Sequence, residues 1–150
     1  MTISSLAAAK KICELSEWSI SNLSLQKILY MAHMVHMGRH DGDLLIDETF
    51  EAWDYGPVLP SVYHKAKSFG SKPVRNVFRA FPDITDSVEL DTLTEATNAL
   101  AHTSAGKLVA ITHWKDGAWA KHYASNSMGT TIPNSDILEE YMARLNDQQG

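Results

Sequence analysis

The 150-residue sequence contains a single cysteine, Cys13. One cysteine excludes an internal disulfide and any metal site built from several cysteines. Cys13 falls in an apolar helical stripe, which favours a small buried hydrophobic residue over a reactive thiol. The sequence also lacks a Gly-rich phosphate loop, a nucleophile elbow and a paired Cys and His arrangement of known form, so the common enzyme motifs are missing.

Long apolar runs and unbroken blocks of positive charge are also absent. Neither a signal peptide nor a run of about 20 apolar residues occurs, so we expect a cytoplasmic protein (bacterial, or in the host cytoplasm if phage-encoded) with no membrane partner. The formal net charge is -5. An acidic chain without a basic cluster binds phosphates poorly, so we expect no nucleic-acid partner and favour a basic or apolar protein.

The segment from Leu25 to about Gly38 has the pattern of a buried helix. Apolar side chains occupy nearly all of its faces, which is typical of a helix at the centre of a domain. Ser24 is a candidate N-cap and Gly38 a candidate C-cap. The length and the hydrophobic content of 44% favour one compact domain over residues 1–150, built around this helix at about 25–38.

A short apolar run, residues 44–46, precedes an alternating segment, Phe50–Tyr55. Alternation places successive side chains on opposite faces of a strand, so we predict a small β-hairpin over about residues 43–55. Gly56-Pro57 then ends the strand, and Pro60 suits the first turn of a helix. Since helical periods cover much of the remaining chain, the predicted fold class is α+β, predominantly α-helical.

The strand, turn and helix around Gly56-Pro57 group polar and aromatic side chains. We expect them to bring Glu51, the Tyr55 hydroxyl and His64 near one another, flanked by large aromatic side chains. Two interpretations stay open. The aromatic residues pack in the core around a corner, or they form a binding surface that the turn holds rigid.

His33, His36 and His40 fall on one face of the predicted central helix, at spacings of three and four. Three imidazoles on one face can bind zinc, but no cysteine and no His-Glu motif accompanies them. The alternative is a partly exposed, hydrogen-bonded row. We assign no metal and no cofactor.

His64 or His113, with Glu51 as a carboxylate partner, supplies the parts of acid–base catalysis. The same parts make a satisfied buried hydrogen-bond pair, and no nucleophile or cofactor motif accompanies them. We therefore predict a protein that is not an enzyme and has no catalytic residues. A small hydrolase or a metal-binding protein is the less favoured function.

Residues 71–86 lack a regular pattern and carry Lys72, Arg75 and Arg79 among apolar residues. This local positive charge fits either a solvated loop face or a contact for an acidic partner. Because loops on rigid scaffolds often carry binding, partner choice by this loop is a hypothesis.

Three blocks resemble a known family. Glu51–Val58 (EAWDYGPV) with Pro60–His64 (PSVYH) resembles the central signature of the SocA-like Panacea antitoxin domain, whose members include GepA-like and phage-associated proteins. Leu25–His33 (LQKILYMAH) is similar to the family's Leu-Gln-Lys-Leu-Leu-Tyr helix, and residues 112–119 to a weaker third block. The resemblance covers about residues 25–141.

This resemblance implies an antitoxin of a bacterial or prophage toxin–antitoxin system. Such a domain typically neutralises a cognate toxin, encoded by an adjacent gene, through direct protein–protein binding. One family member acts as a proteolytic adaptor, which adds a housekeeping protease as a second implied partner. The alternative function is a phage-encoded interaction protein that targets a host factor.

The resemblance also implies partner-binding residues, carried over by motif position. Two come from the first block, eight from the central signature and its helix, and two from the third block. They are Lys27, Tyr30, Glu51, Trp53, Tyr55, Gly56, Pro57, Tyr63, His64, Lys67, His113 and Trp119. Trp and Tyr suit the centre of an interface because they give large contact area at low entropic cost.

Overall fold

A computed structural model describes residues 2–124 and 129–149. Within these residues, helices and three short strands surround one apolar core. The helices are α1 (Ser5–Leu15), α2 (Asn22–Arg39), α3 (Pro60–Ala66), α4 (Ser87–Leu100), α5 (Ala105–Thr112), α6 (Ala118–His122) and α7 (Asn134–Gln149), with a 3-10 turn (Lys67–Phe69) after α3. The strands are β1 (Glu51–Trp53), β2 (Gly56–Val58) and β3 (Thr130–Thr131). The predicted α+β class, predominantly helical, is confirmed.

Helix α2 lies at the centre and packs against α1, α4, α7 and the β1–β2 hairpin. Its buried residues include not only apolar but also polar side chains, because neighbours cover it on several sides. The prediction of a central helix at about 25–38 is confirmed. The helix begins earlier than expected, at Asn22, because the Ser21 hydroxyl accepts a hydrogen bond from the Ser24 backbone N–H at 3.2 Å and caps the first turn.

The strands form one antiparallel sheet in the order β2-β1-β3. β1 and β2 make a tight hairpin in which Trp53 lies opposite Gly56, so Asp54 and Tyr55 form a two-residue turn. Gly56 has a φ of +120°, a backbone conformation that favours glycine, and the strand therefore resumes directly after the turn. β3 comes from a distant part of the chain and pairs with the other edge of β1.

The position predicted for the hairpin, residues 43–55, is wrong, since the hairpin spans residues 51–58. The apolar run at 44–46 is instead held against the N-terminal segment. The Ile3 N–H donates to the Leu45 carbonyl at 2.8 Å, and Ile46 forms an isolated parallel bridge with Ile3. Both Leu45 and Ile46 are buried. Burial explains the apolar run, but it does not specify which segment the run pairs with.

Residues 70–86 connect the 3-10 turn to α4 without a helix or strand, as the lack of a regular pattern indicated. The loop is nevertheless anchored. The Val74 N–H donates to the Ile20 carbonyl at 2.9 Å, and the Phe78 ring is fully buried.

In the described residues we find no helix with both the length and the apolar character needed to cross a bilayer.

Candidate partner-binding site

A groove with a volume of about 450 Å³ opens beside the β1–β2 hairpin. It lies between the start of α2, the hairpin turn and the end of α3, and we call it the aromatic groove. Its lining residues are Asn22, Leu23, Gln26, Trp53, Asp54, Tyr55, Val58, Tyr63, Lys67, Gly70 and Ser71. The Tyr55 side chain, at the hairpin turn, is 68% exposed. Covering such a ring with a partner would remove apolar surface from water.

Trp53 forms a fixed wall of the aromatic groove. Its indole Nε1 donates to Glu51 Oε1 at 2.9 Å. Its ring meets the Tyr63 ring edge-on, with the centroids 4.7 Å apart. The exposed His64 ring lies 5.7 Å from the Tyr63 ring. Because the indole is held by both a hydrogen bond and an aromatic contact, this wall is formed in the absence of a partner.

A stack of three rings supports the hairpin from α5 and α6. The Trp119 ring lies between the His113 ring, at a centroid distance of 3.7 Å, and the Tyr123 ring, at 4.6 Å. Trp119 Nε1 donates to the Trp53 backbone carbonyl at 2.7 Å. The Tyr123 hydroxyl donates to the Asp54 carboxylate at 2.6 Å. These two hydrogen bonds tie the turn of the hairpin to the helical part of the fold.

Lys27 lies fully buried beneath the hairpin, and its amine has no hydrogen-bond partner among the described residues. A Cβ atom at Gly56 would lie 2.5 Å from Lys27 Nζ and 3.1 Å from Thr112 Oγ1, so a larger residue there would displace the amine. Burial lowers the pKa of Lys27 to about 7. Burial also lowers the pKa of the His113 imidazole. A hydrogen bond with the Tyr55 backbone raises this pKa, and the positive charge of Lys27 lowers it further.

A buried carboxylate that sequence reasoning missed lies behind this region. Glu140 Oε1 accepts hydrogen bonds from the Tyr30 hydroxyl at 2.6 Å and from the Ala118 N–H at 2.9 Å. Glu140 Oε2 accepts from Arg144, which also donates to the Ile111 carbonyl at 2.6 Å. The network joins α2, α5, α6 and α7. In the sequence, the spacing of four residues between Glu140 and Arg144 indicates an ion pair on one face of a helix. It does not indicate Tyr30 as a further partner.

The expected grouping of Glu51, the Tyr55 hydroxyl and His64 does not form. The Glu51 carboxylate accepts from the Trp53 indole, and no hydrogen bond within the described ranges joins the three side chains. Tyr55 and His64 are both exposed. Because the turn falls at Asp54 and Tyr55, Tyr55 leaves the strand rather than continuing its alternation. Among the described residues, Glu51 and His64 therefore do not form the hydrogen-bonded pair that the acid–base alternative needs.

The three histidines of α2 serve different contacts. His33 Nδ1 accepts from the Ile46 N–H at 3.2 Å, and His33 Nε2 donates to Asn134 Oδ1 at 2.9 Å, so neither nitrogen is free to bind a metal. His33 and His36 are buried, so they differ from the partly exposed, hydrogen-bonded row of histidines that was the predicted alternative to a zinc site. Across residues 2–124 and 129–149, no group of three His, Cys, Asp or Glu side chains is arranged to hold a metal ion.

The family model described as "Antitoxin SocA-like, Panacea domain" matches residues 25–120. The chain belongs to this family. It is 34% identical over 131 residues to Antitoxin SocA of Caulobacter vibrioides (strain NA1000 / CB15N), across 75% of this chain and 64% of that protein. The chain therefore spans just under two thirds of the length of the curated relative that it matches. No solved structure matches it.

Within the Panacea domain, the twelve predicted partner-binding residues differ in depth. Tyr55, His64 and Lys67 are exposed, Glu51, Trp53, Tyr63 and His113 are half-buried, and Lys27, Tyr30, Gly56, Pro57 and Trp119 are buried. Four of them line the aromatic groove, Glu51, Gly56 and Pro57 belong to the hairpin strands, and Lys27 and Trp119 support the hairpin from below. The signature motifs thus fall on one connected region, part surface and part support.

Proposed function

We propose that this Panacea domain is an antitoxin that neutralises a cognate toxin by direct protein–protein binding through the aromatic groove. The observation that carries the proposal is Tyr55, a large side chain left 68% exposed at a rigid turn. Large, rigid aromatic side chains next to a preformed cavity are typical of the centre of a protein interface. The name of the Caulobacter relative, Antitoxin SocA, supports the same function.

The twelve residues then take two roles. The exposed and half-buried side chains around the aromatic groove contact the toxin, with Tyr55 as the main anchor. The buried residues position the hairpin from below, as Trp119 does by its hydrogen bond to the Trp53 carbonyl. Rigid support of this kind lowers the entropic cost of binding, because few side chains need to be ordered when the toxin arrives.

Co-expression tests the proposal. The product of the adjacent gene is expressed alone, then with this chain carrying an affinity tag, and colony growth and pull-down are scored. We expect toxicity that this chain relieves, together with a stable complex. Relief accompanied by loss of the toxin and no stable complex would support the proteolytic-adaptor version, with a housekeeping protease as the second partner. The proposal would be contradicted if the product is toxic and this chain neither relieves that toxicity nor binds the product.

A further inference from the structure

The charge of the chain is distributed unevenly. From Tyr55 to Pro82 there is no aspartate or glutamate, although the chain has eighteen, and the same segment holds five of its thirteen Lys and Arg residues. These are Lys65, Lys67, Lys72, Arg75 and Arg79, all of them exposed. None of the five forms an ion pair with a residue that the structure describes. The net charge of -5 therefore conceals a local basic surface.

Two cavities adjoin along this segment. The second, which we call the basic hollow, has a volume of about 610 Å³ and includes Trp18, Phe69, Lys72 and Arg75 in its lining. Gly70 lines both the basic hollow and the aromatic groove. Apart from Gly70 itself and its two chain neighbours, no residue that the structure describes has a heavy atom within 4 Å of the position that a Gly70 Cβ would occupy. The two cavities thus form one continuous surface, without a side chain at Gly70 to divide it.

The basic hollow has a fixed framework. The Val74 N–H donates to the Ile20 carbonyl at 2.9 Å, and Pro73 forms an antiparallel bridge with Ser21. Trp18 has a φ of +58°, a left-handed conformation that a bulky residue keeps only where its surroundings enforce it. The loop and the α1–α2 connection therefore hold this surface in place, as a preformed binding site requires.

We propose that the aromatic groove and the basic hollow together dock one extended acidic segment of the toxin. An apolar side chain of that segment fills the groove, and its carboxylates lie along Lys67, Lys72 and Arg75. This inference rests on the proposed function and adds the chemistry by which the partner is recognised. It differs from the basic or apolar partner that the net charge favours, because a docked segment interacts with the charges next to it rather than with the net charge of the whole chain.

The charge of the remaining surface favours a short acidic segment over a nucleic acid. All eighteen Asp and Glu residues of the chain lie outside the basic segment, and of these Asp54 lines the aromatic groove, where its carboxylate accepts a hydrogen bond from the Tyr123 hydroxyl. A long polyanion that extends beyond the two cavities meets this acidic surface and is repelled. A peptide segment of a few residues does not extend so far. The aromatic groove also supplies apolar area, which a peptide side chain can fill.

Charge reversal within the basic hollow tests the inference. Lys72→Glu with Arg75→Glu is compared with a matched pair, Lys107→Glu with Lys115→Glu, which are exposed and line neither cavity. For the hollow pair we expect the rate of association with the purified toxin to fall about tenfold at low salt, because complementary charge steers encounter. Its salt dependence should also flatten. The matched pair should change the rate less than about twofold, and all variants should keep the wild-type melting temperature.

An equal loss of association in both pairs, or no loss in either, would overturn the inference while leaving the antitoxin function intact. A second probe separates the two proposals. Wild-type protein is titrated with a synthetic peptide of alternating Glu and Leu, with its Lys–Leu counterpart, and with single-stranded DNA, and backbone amide shifts are followed by NMR. We expect the Glu peptide alone to shift the Gly70 and Lys72 amides.

Binding of the Glu peptide by a chain that does not bind the toxin would support the docking surface and contradict the antitoxin function. Stronger shifts of the Gly70 and Lys72 amides by DNA than by the Glu peptide would overturn the inference in favour of a nucleic-acid surface. Shifts produced equally by the Glu and Lys peptides would overturn it as well, because they would show that charge is not recognised.

Discussion

Tyr55 offers a clean test of a single hydroxyl group. The side chain is 68% exposed, and its hydroxyl forms no hydrogen bond with any residue that the structure describes. Tyr55→Phe should therefore leave the melting temperature unchanged. If the toxin pairs with this hydroxyl, the variant should weaken toxin binding by about 0.5–1.5 kcal/mol, the net contribution of one hydrogen bond, measured by calorimetry. Unchanged neutralisation by Tyr55→Phe would show that the hydroxyl is not part of the site.

The burial of Lys27 lowers the free energy of unfolding, because its amine loses its hydration and has no hydrogen-bond partner among the described residues. Lys27→Met keeps the length and the apolar stem and removes that cost. We expect the free energy of unfolding, measured in urea at pH 7, to rise by about 4 kcal/mol, the cost at that pH of lowering this pKa from 10.5 to about 7. Lys115→Met, at an exposed position, serves as the control and should change it little.

The pH dependence of unfolding identifies the amine itself. The folded pKa of Lys27 is about 7 and the ordinary value is 10.5, so between these values the unfolded chain holds a proton that the folded chain does not. Stability should therefore rise with pH across this window, by about 1.4 kcal/mol per pH unit. Lys27→Met should lack this rise between pH 7 and 8, where the Cys13 thiol, with a pKa of about 12 when folded and 9.0 ordinarily, stays largely protonated in both states. An identical slope in both proteins would contradict the assignment.

His33 joins helix α2 to two other parts of the fold, the 43–50 segment through Ile46 and helix α7 through Asn134. Burial lowers the pKa of His33 from 6.5 to about 4, opposed by the Asn134 hydrogen bond, and His36 lowers it further. The unfolded chain therefore takes up a proton first as the pH falls. Stability should decrease from pH 6.5 towards pH 4, by about 2 kcal/mol at pH 5.

Urea unfolding of wild type and His33→Gln at pH 7 and pH 5 measures this contribution. The glutamine variant should be less stable at pH 7, because it loses the paired contacts, and should lose less stability on acidification. His36, whose pKa burial also lowers, stays in both proteins and accounts for part of the remaining acid sensitivity. A glutamine variant with the full wild-type loss would show that His33 does not titrate in this range.

The elements differ in how far the sequence could predict them. Helix α2 was predictable because apolar residues on nearly all faces leave few structures other than a buried helix. The hairpin was misplaced because Leu45 and Ile46 are as apolar as a paired strand, although they pack against the N-terminal segment. Gly56-Pro57 also suggested a break, whereas the positive φ of Gly56 allows a two-residue turn just before it. Strand β3 depends on pairing with a distant segment, which Thr130 and Thr131 do not encode locally.

The surface of the candidate site was predictable from local spacing, whereas the contacts that support it were not. The spacing of Trp53, Tyr55 and Tyr63 indicated aromatic side chains around a rigid turn, and all three line the aromatic groove. The ring stack under Trp119 and the network around Glu140 arise from contacts between helices far apart in the chain. No local spacing in the sequence indicates these contacts, although the family resemblance named His113 and Trp119.

The whole molecule combines an acidic chain with one basic surface beside an aromatic groove. Long-range electrostatics follow the net charge and favour solubility, whereas a docked segment responds to the charges within about 10 Å of it at moderate salt. Under the proposed docking, the affinity for the toxin depends on the aromatic anchor, and the rate of encounter depends on the lysines and arginines. This division predicts that aromatic variants mainly raise the dissociation rate, while charge variants mainly lower the association rate.

Calorimetric titration of the toxin into Tyr55→Ala and Met142→Ala tests the central claim most directly. Met142 is another large hydrophobic residue that is exposed, at 52%, and it lies on α7 away from both cavities. We expect Tyr55→Ala to raise the dissociation constant about 10- to 100-fold, the effect of removing an interface anchor. Met142→Ala should change it less than about twofold. Equal affinities for the two variants would contradict binding through the aromatic groove.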